Sequence, residues 1–322
     1  MHRLFLAGLA LALCLSGPPA RSAGFQFLDV PADAAGPAIH GAMWYPCAEP
    51  AGTVDLGNMT LPAVKDCPIS GDELPLVVVS HGEGGSFVGH HDTDETLADA
   101  GFVVAAISHP GDNASDLSRN TDLSVFIERP TDIKRLIDFM LGPSPVSSRI
   151  DRRRVGLFGF SRGGYTALVV IGANVDWAHV TQICQGSSVP ACAQVLRKEY
   201  PSEPLTHDPR IRAAVIADPL AILFTAGSLA AITTPIQLWA SERGGDGIYP
   251  RDVAEVDKSL PASHEFHVVP NSGHFVFLAP CSPAGVKEHP ELCTDASDFD
   301  RVAFHKQFDA AVLAFFRANL GF

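Results

Sequence analysis

Val155–Gly164 reads VGLFGFSRGG, and this stretch decides the fold. Val155 to Phe160 is a mostly apolar run of strand length, and Tyr165 to Ile171 continues as an apolar run with helical spacing. Between them stands Gly159-Phe160-Ser161-Arg162-Gly163. A strand that turns sharply into a helix, with a serine at the apex, lifts that hydroxyl clear of the backbone. The flanking glycines remove the Cβ atoms that so tight a turn cannot house. Ser161 is therefore the candidate nucleophile.

Outward from that turn the chain alternates strand and helix. Strands are expected over Ile39–Tyr45, Leu76–Ser80, Phe102–Ile107, Ile211–Ala217, Ile236–Ala240 and Glu265–Val269. Helices are expected over Thr93–Ala100, over Thr131–Leu141 beginning after Pro130, and over Arg301–Asn319 at the end. Alternation of this kind predicts an α/β fold: a mostly parallel central sheet with helices on both faces. The N-terminal strands, with short connections, are expected to form an antiparallel edge. One domain spans 24–322, and the irregular stretch Asn174–Arg210 between two core strands is a candidate lid.

Two further loops carry chemistry. Val77–Gly85, VVVSHGEGG, is a buried strand running into a Gly-rich loop whose backbone N–H groups could meet a developing oxyanion, joined by the N–H of Arg162. It lacks the Gly-Lys-Ser/Thr ending of a phosphate loop. Val268–Phe275, VVPNSGHF, places His274 on a loop after the last strand, downstream of the serine, as a Ser-acid-His order requires. Three acids compete for the third position. Asp218 directly follows the strand ending at Ala217, whereas Glu242 and Asp246 follow the next strand. His109 and Asp112, after another core strand, are expected at the pocket mouth. His90-His91-Asp92, at a helix start, reads as capping and solvated side chains, so no metal site is expected.

The 322 residues carry a formal charge of −13, and their basic runs are short, which argues against a nucleic-acid partner. At the N-terminus, Arg3 precedes the apolar run Leu4–Leu15, too short to span a bilayer, and small residues at Ala20–Ala23 offer a cleavage site. Met1–Ala23 is thus read as a signal peptide of a secreted or periplasmic protein, with no membrane span in the mature chain. Cys14 lies inside it and raises the alternative of lipoprotein processing. Six cysteines remain, and loop-closure entropy favours the sequential disulfides Cys47–Cys67, Cys184–Cys192 and Cys281–Cys293. No pair has the two-residue spacing of a zinc site.

The motifs SHGEGG (Ser80–Gly85), SHPGDN (Ser108–Asn113), GFSRGG (Gly159–Gly164), ADP (Ala217–Pro219), PIQLW (Pro235–Trp239) and SGHFVF (Ser272–Phe277) together resemble the α/β-hydrolases known as predicted dienelactone hydrolases, relatives of the platelet-activating-factor acetylhydrolases. The resemblance implies the α/β-hydrolase fold and hydrolysis of a small-molecule or lipid ester without a cofactor. Dienelactone hydrolases proper use cysteine where this chain has Ser161. The acetylhydrolase pattern places the acid at Asp218 and a second oxyanion donor at the N–H of Glu83. An acyltransferase with an alcohol acceptor, or a non-catalytic binding module on the same fold, are the alternatives.

Overall fold

A computed structural model describes residues 22–321, apart from 58, 262 and 263. The segment 1–21, with Cys14 and most of the expected signal peptide, lies outside the described residues. Ser22 and Ala23 already belong to the first strand, β1 (Ser22–Val30), which pairs antiparallel with β2 (Ile39–Cys47).

Two two-residue strands, β3 (Val54–Asp55) and β4 (Thr60–Leu61), form a separate ribbon, and β5 (Val64–Lys65) adds to the edge of β1. The chain then enters β6 (Leu74–Ser80), α1 (His91–Asp99), β7 (Val103–Ser108) and α2 (Ser124–Met140). Next come β8 (Ile150–Phe160), α3 (Arg162–Val170), α4 (Trp177–Ile183), α5 (Pro190–Leu196) and β9 (Ile211–Ala217). The last third holds α6 (Ala226–Leu229), β10 (Ile236–Ser241), α7 (Pro250–Ser259) and β11 (His264–Val269), then α8 (Pro283–Glu288), α9 (Pro290–Cys293) and α10 (Arg301–Leu320).

Nine strands make one sheet in the order β11-β10-β9-β8-β6-β7-β2-β1-β5. From β7 to β11 every pairing is parallel, while β2 runs antiparallel to both β7 and β1. Alternation along each central strand feeds two cores. Leu76 and Val78 of β6 with Leu157 of β8 face α2, α3 and α7, whereas Val77, Val79, Phe158 and Phe160 face α1 and α10. Both faces are covered, so these strands are apolar on every residue instead of every second one.

The structure moves one expected boundary. The helix does not begin after Pro130: α2 starts at Ser124 and holds Pro130 as its seventh residue. Proline cannot donate to the carbonyl four residues back, so the Phe126 oxygen loses its intrahelical partner. The buried Tyr165 hydroxyl of α3 donates to that oxygen at 3.1 Å instead. A hydrogen bond from the neighbouring helix thus replaces the missing one.

The stretch 174–210 also departs from the irregular reading. Asp176 caps α4, accepting from the N–H groups of Ala178 and His179, and Pro190 opens α5. The Cys184–Cys192 disulfide joins the two helices, and Cys47–Cys67 and Cys281–Cys293 form the other two bridges. Among the described residues no helix is long and apolar enough to cross a membrane.

Candidate active site

Ser161, Asp218 and His274 all lie just past the C-terminal ends of parallel strands β8, β9 and β11, the edge where open α/β sheets gather ligands. Ser161 stands at the turn between β8 and α3 with φ 57°, a left-handed backbone that a non-glycine residue adopts at a cost of about 1–3 kcal/mol. The turn is forced by close packing. A Cβ on Gly163 would stand 1.9 Å from the Ser80 carbonyl oxygen, and one on Gly159 would stand 2.3 Å from the Gly163 oxygen. The Ser161 N–H donates to Ala217 O and its carbonyl accepts from Leu220 N–H, both at 3.0 Å, which ties the elbow to the loop carrying Asp218.

Asp218 is fully buried and also has positive φ, 44°. One carboxylate oxygen accepts from the Ser241 N–H at 2.9 Å; the other accepts from the Ser241 hydroxyl and from His274 Nδ1, each at 2.7 Å. With Nδ1 committed to Asp218, the neutral imidazole carries its proton there and presents a lone pair at Nε2. That nitrogen has no partner among the described residues. The Phe160 ring, one residue before Ser161, stacks on the His274 ring at 4.7 Å and fixes its plane. Glu242 and Asp246 are exposed; Glu242 accepts the Asn271 N–H at 2.6 Å, and Asp246 occupies a tight turn. The structure brings Asp218, and neither of those two, to His274.

Glu83 and Arg162, the expected oxyanion donors, are linked through their side chains. Their carboxylate and guanidinium form an ion pair. Arg162 also donates to Asp112 at 2.8 Å and lies 5.0 Å from the Phe126 ring centre. Arg129, fully buried in α2, donates to the same Asp112 oxygen at 2.7 Å and to the His81 carbonyl. The other Asp112 oxygen accepts the Gly84 N–H at 3.1 Å. Two carboxylates and two guanidiniums balance, so Glu83 brings no net negative charge to a place where an anion would form. Burial works against the Asp112 charge, but Arg129 and Arg162 outweigh it and hold the carboxyl below its usual range. Burial raises Glu83, with Arg162 opposing. As the first residue of α3, Arg162 has an N–H that the helix itself leaves without an acceptor.

His109 and Asp112 do not line a pocket mouth, because both are completely buried. His109 bonds Ser80 Oγ through Nε2 at 2.9 Å and Asp132 through Nδ1 at 3.0 Å. Burial first, then Arg129, drives the His109 imidazole well below its usual range, so it is neutral, and the same holds for His81. This second Ser-His-Asp set braces the strand end beneath the loop of Glu83. Nor is His90 solvated. It is buried against Phe158 and Phe160, gives no side-chain cap to α1, and bonds the Phe277 carbonyl through Nδ1 at 3.0 Å.

Beside Glu83 and Arg162 opens a cavity of about 440 Å³ with a mostly apolar wall: Phe126, Trp177, Ile183, Val195 and Leu223 among its residues. Helices α4 and α5, closed by their disulfide, form its outer side.

Comparison with known proteins finds three likenesses. The family described as platelet-activating factor acetylhydrolase, isoform II, matches residues 46–124. The platelet-activating factor acetylhydrolase of Canis lupus familiaris is 26% identical over a match covering 35% of this chain and 35% of its own, so the alignment spans about a third of that relative. A ferulic acid esterase from Streptomyces cinnamoneus superposes over 97% of this chain and 93% of its own, with TM-score 0.64 and 19% identity. This chain has the α/β-hydrolase fold. Within that fold the mostly parallel sheet with an antiparallel N-terminal edge is as the sequence predicts, and the chain is similar in part of its length to the platelet-activating factor acetylhydrolases. What sequence reasoning missed is the Asp112–Arg129 hub. Its members are 17 residues apart, on a loop and a helix, with no motif joining them.

Proposed function

We propose that this chain is a secreted or periplasmic serine hydrolase that cleaves carboxylic esters through an acyl-enzyme. The observation that carries the reading is the buried Asp218–His274 pair, with Nδ1 engaged and Nε2 free, at the same sheet edge as the strained Ser161 elbow. Ser161 Oγ attacks the ester carbonyl while His274 Nε2 takes its proton. The tetrahedral oxyanion is met by the N–H groups of Glu83 and Arg162, each such donor being worth about 3 kcal/mol at the transition state. His274 then returns the proton to the leaving alcohol. Water repeats the sequence on the acyl-enzyme, and Asp218 keeps the imidazole oriented and stabilises its charged form. No step calls for a cofactor.

The apolar cavity walled by α4 and α5 receives the apolar part of the ester. Three disulfides fit an oxidising compartment, and removal of Met1–Ala23 would release the chain there. A fluorophosphonate probe is expected to label Ser161 in the wild type and nothing in Ser161→Ala, and that variant loses hydrolysis of p-nitrophenyl esters while keeping its melting temperature. Labelling at another serine, or an active Ser161→Ala, overturns the reading.

A further inference from the structure

On the sheet face that they cover, α1 and α10 press a group of ionisable side chains together. Asp92, His305 and Asp309 each direct one ligand atom into a common space, all within 4.8 Å of one another. His305 and Asp309 are buried, while the Asp92 side chain keeps a fifth of its surface exposed and opens the cluster to solvent. His305 Nε2 bonds the Val276 carbonyl at 2.8 Å. Its Nδ1 is 2.6 Å from an Asp92 oxygen, yet it has no partner in hydrogen-bond geometry, and the second Asp92 oxygen has none either. Asp309 takes the Thr93 hydroxyl at 2.6 Å.

Beside these three, Asp94 is 1% exposed and neither of its carboxylate oxygens has a hydrogen-bond partner. The neighbours acting on it, Asp92, Glu95 and Asp309, are all carboxylates. Buried carboxylates are ordinarily paired or bound to metal. Here His305 stands among Asp92, Asp94 and Asp309; His90 and His91 also act on Asp92, but His91 is paired to Glu95 at 3.1 Å, so the buried carboxylates share little positive charge. The orientation of His305 is also that of a metal ligand: such histidines donate the other ring N–H to a backbone carbonyl or carboxylate, which fixes the tautomer and aims the lone pair.

We propose that Asp92, His305 and Asp309 bind one divalent transition-metal cation of the manganese–zinc class, with Asp94 as the nearby uncompensated carboxylate. Mixed carboxylate and imidazole ligands suit that class, and the imidazole disfavours calcium and magnesium. The cation supplies the counter-charge that these buried carboxylates lack. Its role is structural. His305 is bonded to Val276, in the short turn His274–Phe277 that carries the candidate base, and His90 bonds Phe277 in the same turn. Fixing His305 fixes the support of that turn without touching substrate.

Titration of the chelator-treated full chain with ZnCl2 and with MnCl2 tests this. Calorimetry is expected to give one site per chain, and a hundredfold excess over Kd to raise the melting temperature by about 5 °C. Asp309→Asn and His305→Gln lose the binding, and CaCl2 binds at least tenfold more weakly. Because either variant could disturb packing, pulsed electron paramagnetic resonance of the wild type with Mn2+ supplies an independent readout: coupling to one imidazole nitrogen. No binding at millimolar metal, binding unchanged in both variants, calcium bound as tightly as zinc, or bound manganese without nitrogen coupling each overturn the proposal. The readouts are binding and stability, so they do not depend on the esterase reading.

Discussion

The candidate nucleophile Ser161 and candidate base His274 stand out by local grammar: a serine between glycines at a strand-to-helix turn, and a histidine after the last strand. The third residue could not be settled that way, because Asp218, Glu242 and Asp246 all follow strands of the same parallel sheet. What separates them is reach. Asp218 leaves β9 in a left-handed turn that buries its carboxylate against Ser241 and His274, while the other two point to solvent. Asp218→Asn keeps the shape but removes the charge opposite the imidazolium and reverses the tautomer. It is expected to lower kcat by about 10⁴, the loss that the same change causes in a serine protease. Asp246→Asn should stay near the wild-type rate, and steady-state kinetics on p-nitrophenyl acetate checks both; the reverse order of losses would move the acid one strand later. Glu83 carried no signal of its partner in the sequence, since Arg162 lies 79 residues away and their pairing needs the loop and the elbow to be adjacent already.

At the scale of elements, regular strands were legible because both faces of the sheet are buried and apolar runs of six or seven residues have few other uses. Edges and insertions were less so. The sequence predicts this helix only after Pro130, because proline is costly inside a helix, and the compensation that keeps it inside α2 comes from Tyr165 on another helix. That compensation can be measured. Tyr165→Phe leaves the half-buried Phe126 carbonyl without this donor and should cost about 1–3 kcal/mol. Pro130→Ala restores the N–H that the helix lacks, so Tyr165→Phe should cost clearly less in that background. Urea denaturation of the four proteins gives the coupling energy, and additive effects would show that the two groups do not serve the same oxygen. The α4–α5 pair calls for a functional test. Ile183 lines the cavity, and Ile183→Trp fills part of it. The expected result is a loss of about tenfold or more in kcat/KM for an octanoate ester with little change for acetate. Equal losses on both esters, with a lower melting temperature, would make these helices scaffold and not substrate wall.

Taken whole, the molecule buries carboxylates where neighbouring elements supply the counter-charge, as Arg129 and Arg162 do for Asp112. Where the counter-charge falls short, the carboxyl keeps a proton, and stability then depends on pH. Asp132, in α2, is such a group. It takes the His109 Nδ1–H at 3.0 Å and lies 3.6 Å from Arg135, with Arg129 and Arg119 also favouring its charge and Asp33 opposing it. Burial outweighs these cations and pushes the carboxyl up to about 7. A carboxyl whose pKa is higher folded than unfolded stabilises the fold fully only below its unfolded value, and that contribution is lost as pH rises through the folded one. Asp132→Asn removes the titration and retains an oxygen for His109. Relative to wild type, the variant should therefore gain about 3 kcal/mol of stability between about pH 5 and about pH 8.5, two pKa units at about 1.4 kcal/mol each. Urea unfolding of both proteins across that range measures it. A difference between them that stays flat with pH would mean that Asp132 is ionised throughout, held by Arg135 and Arg129 more firmly than burial opposes them.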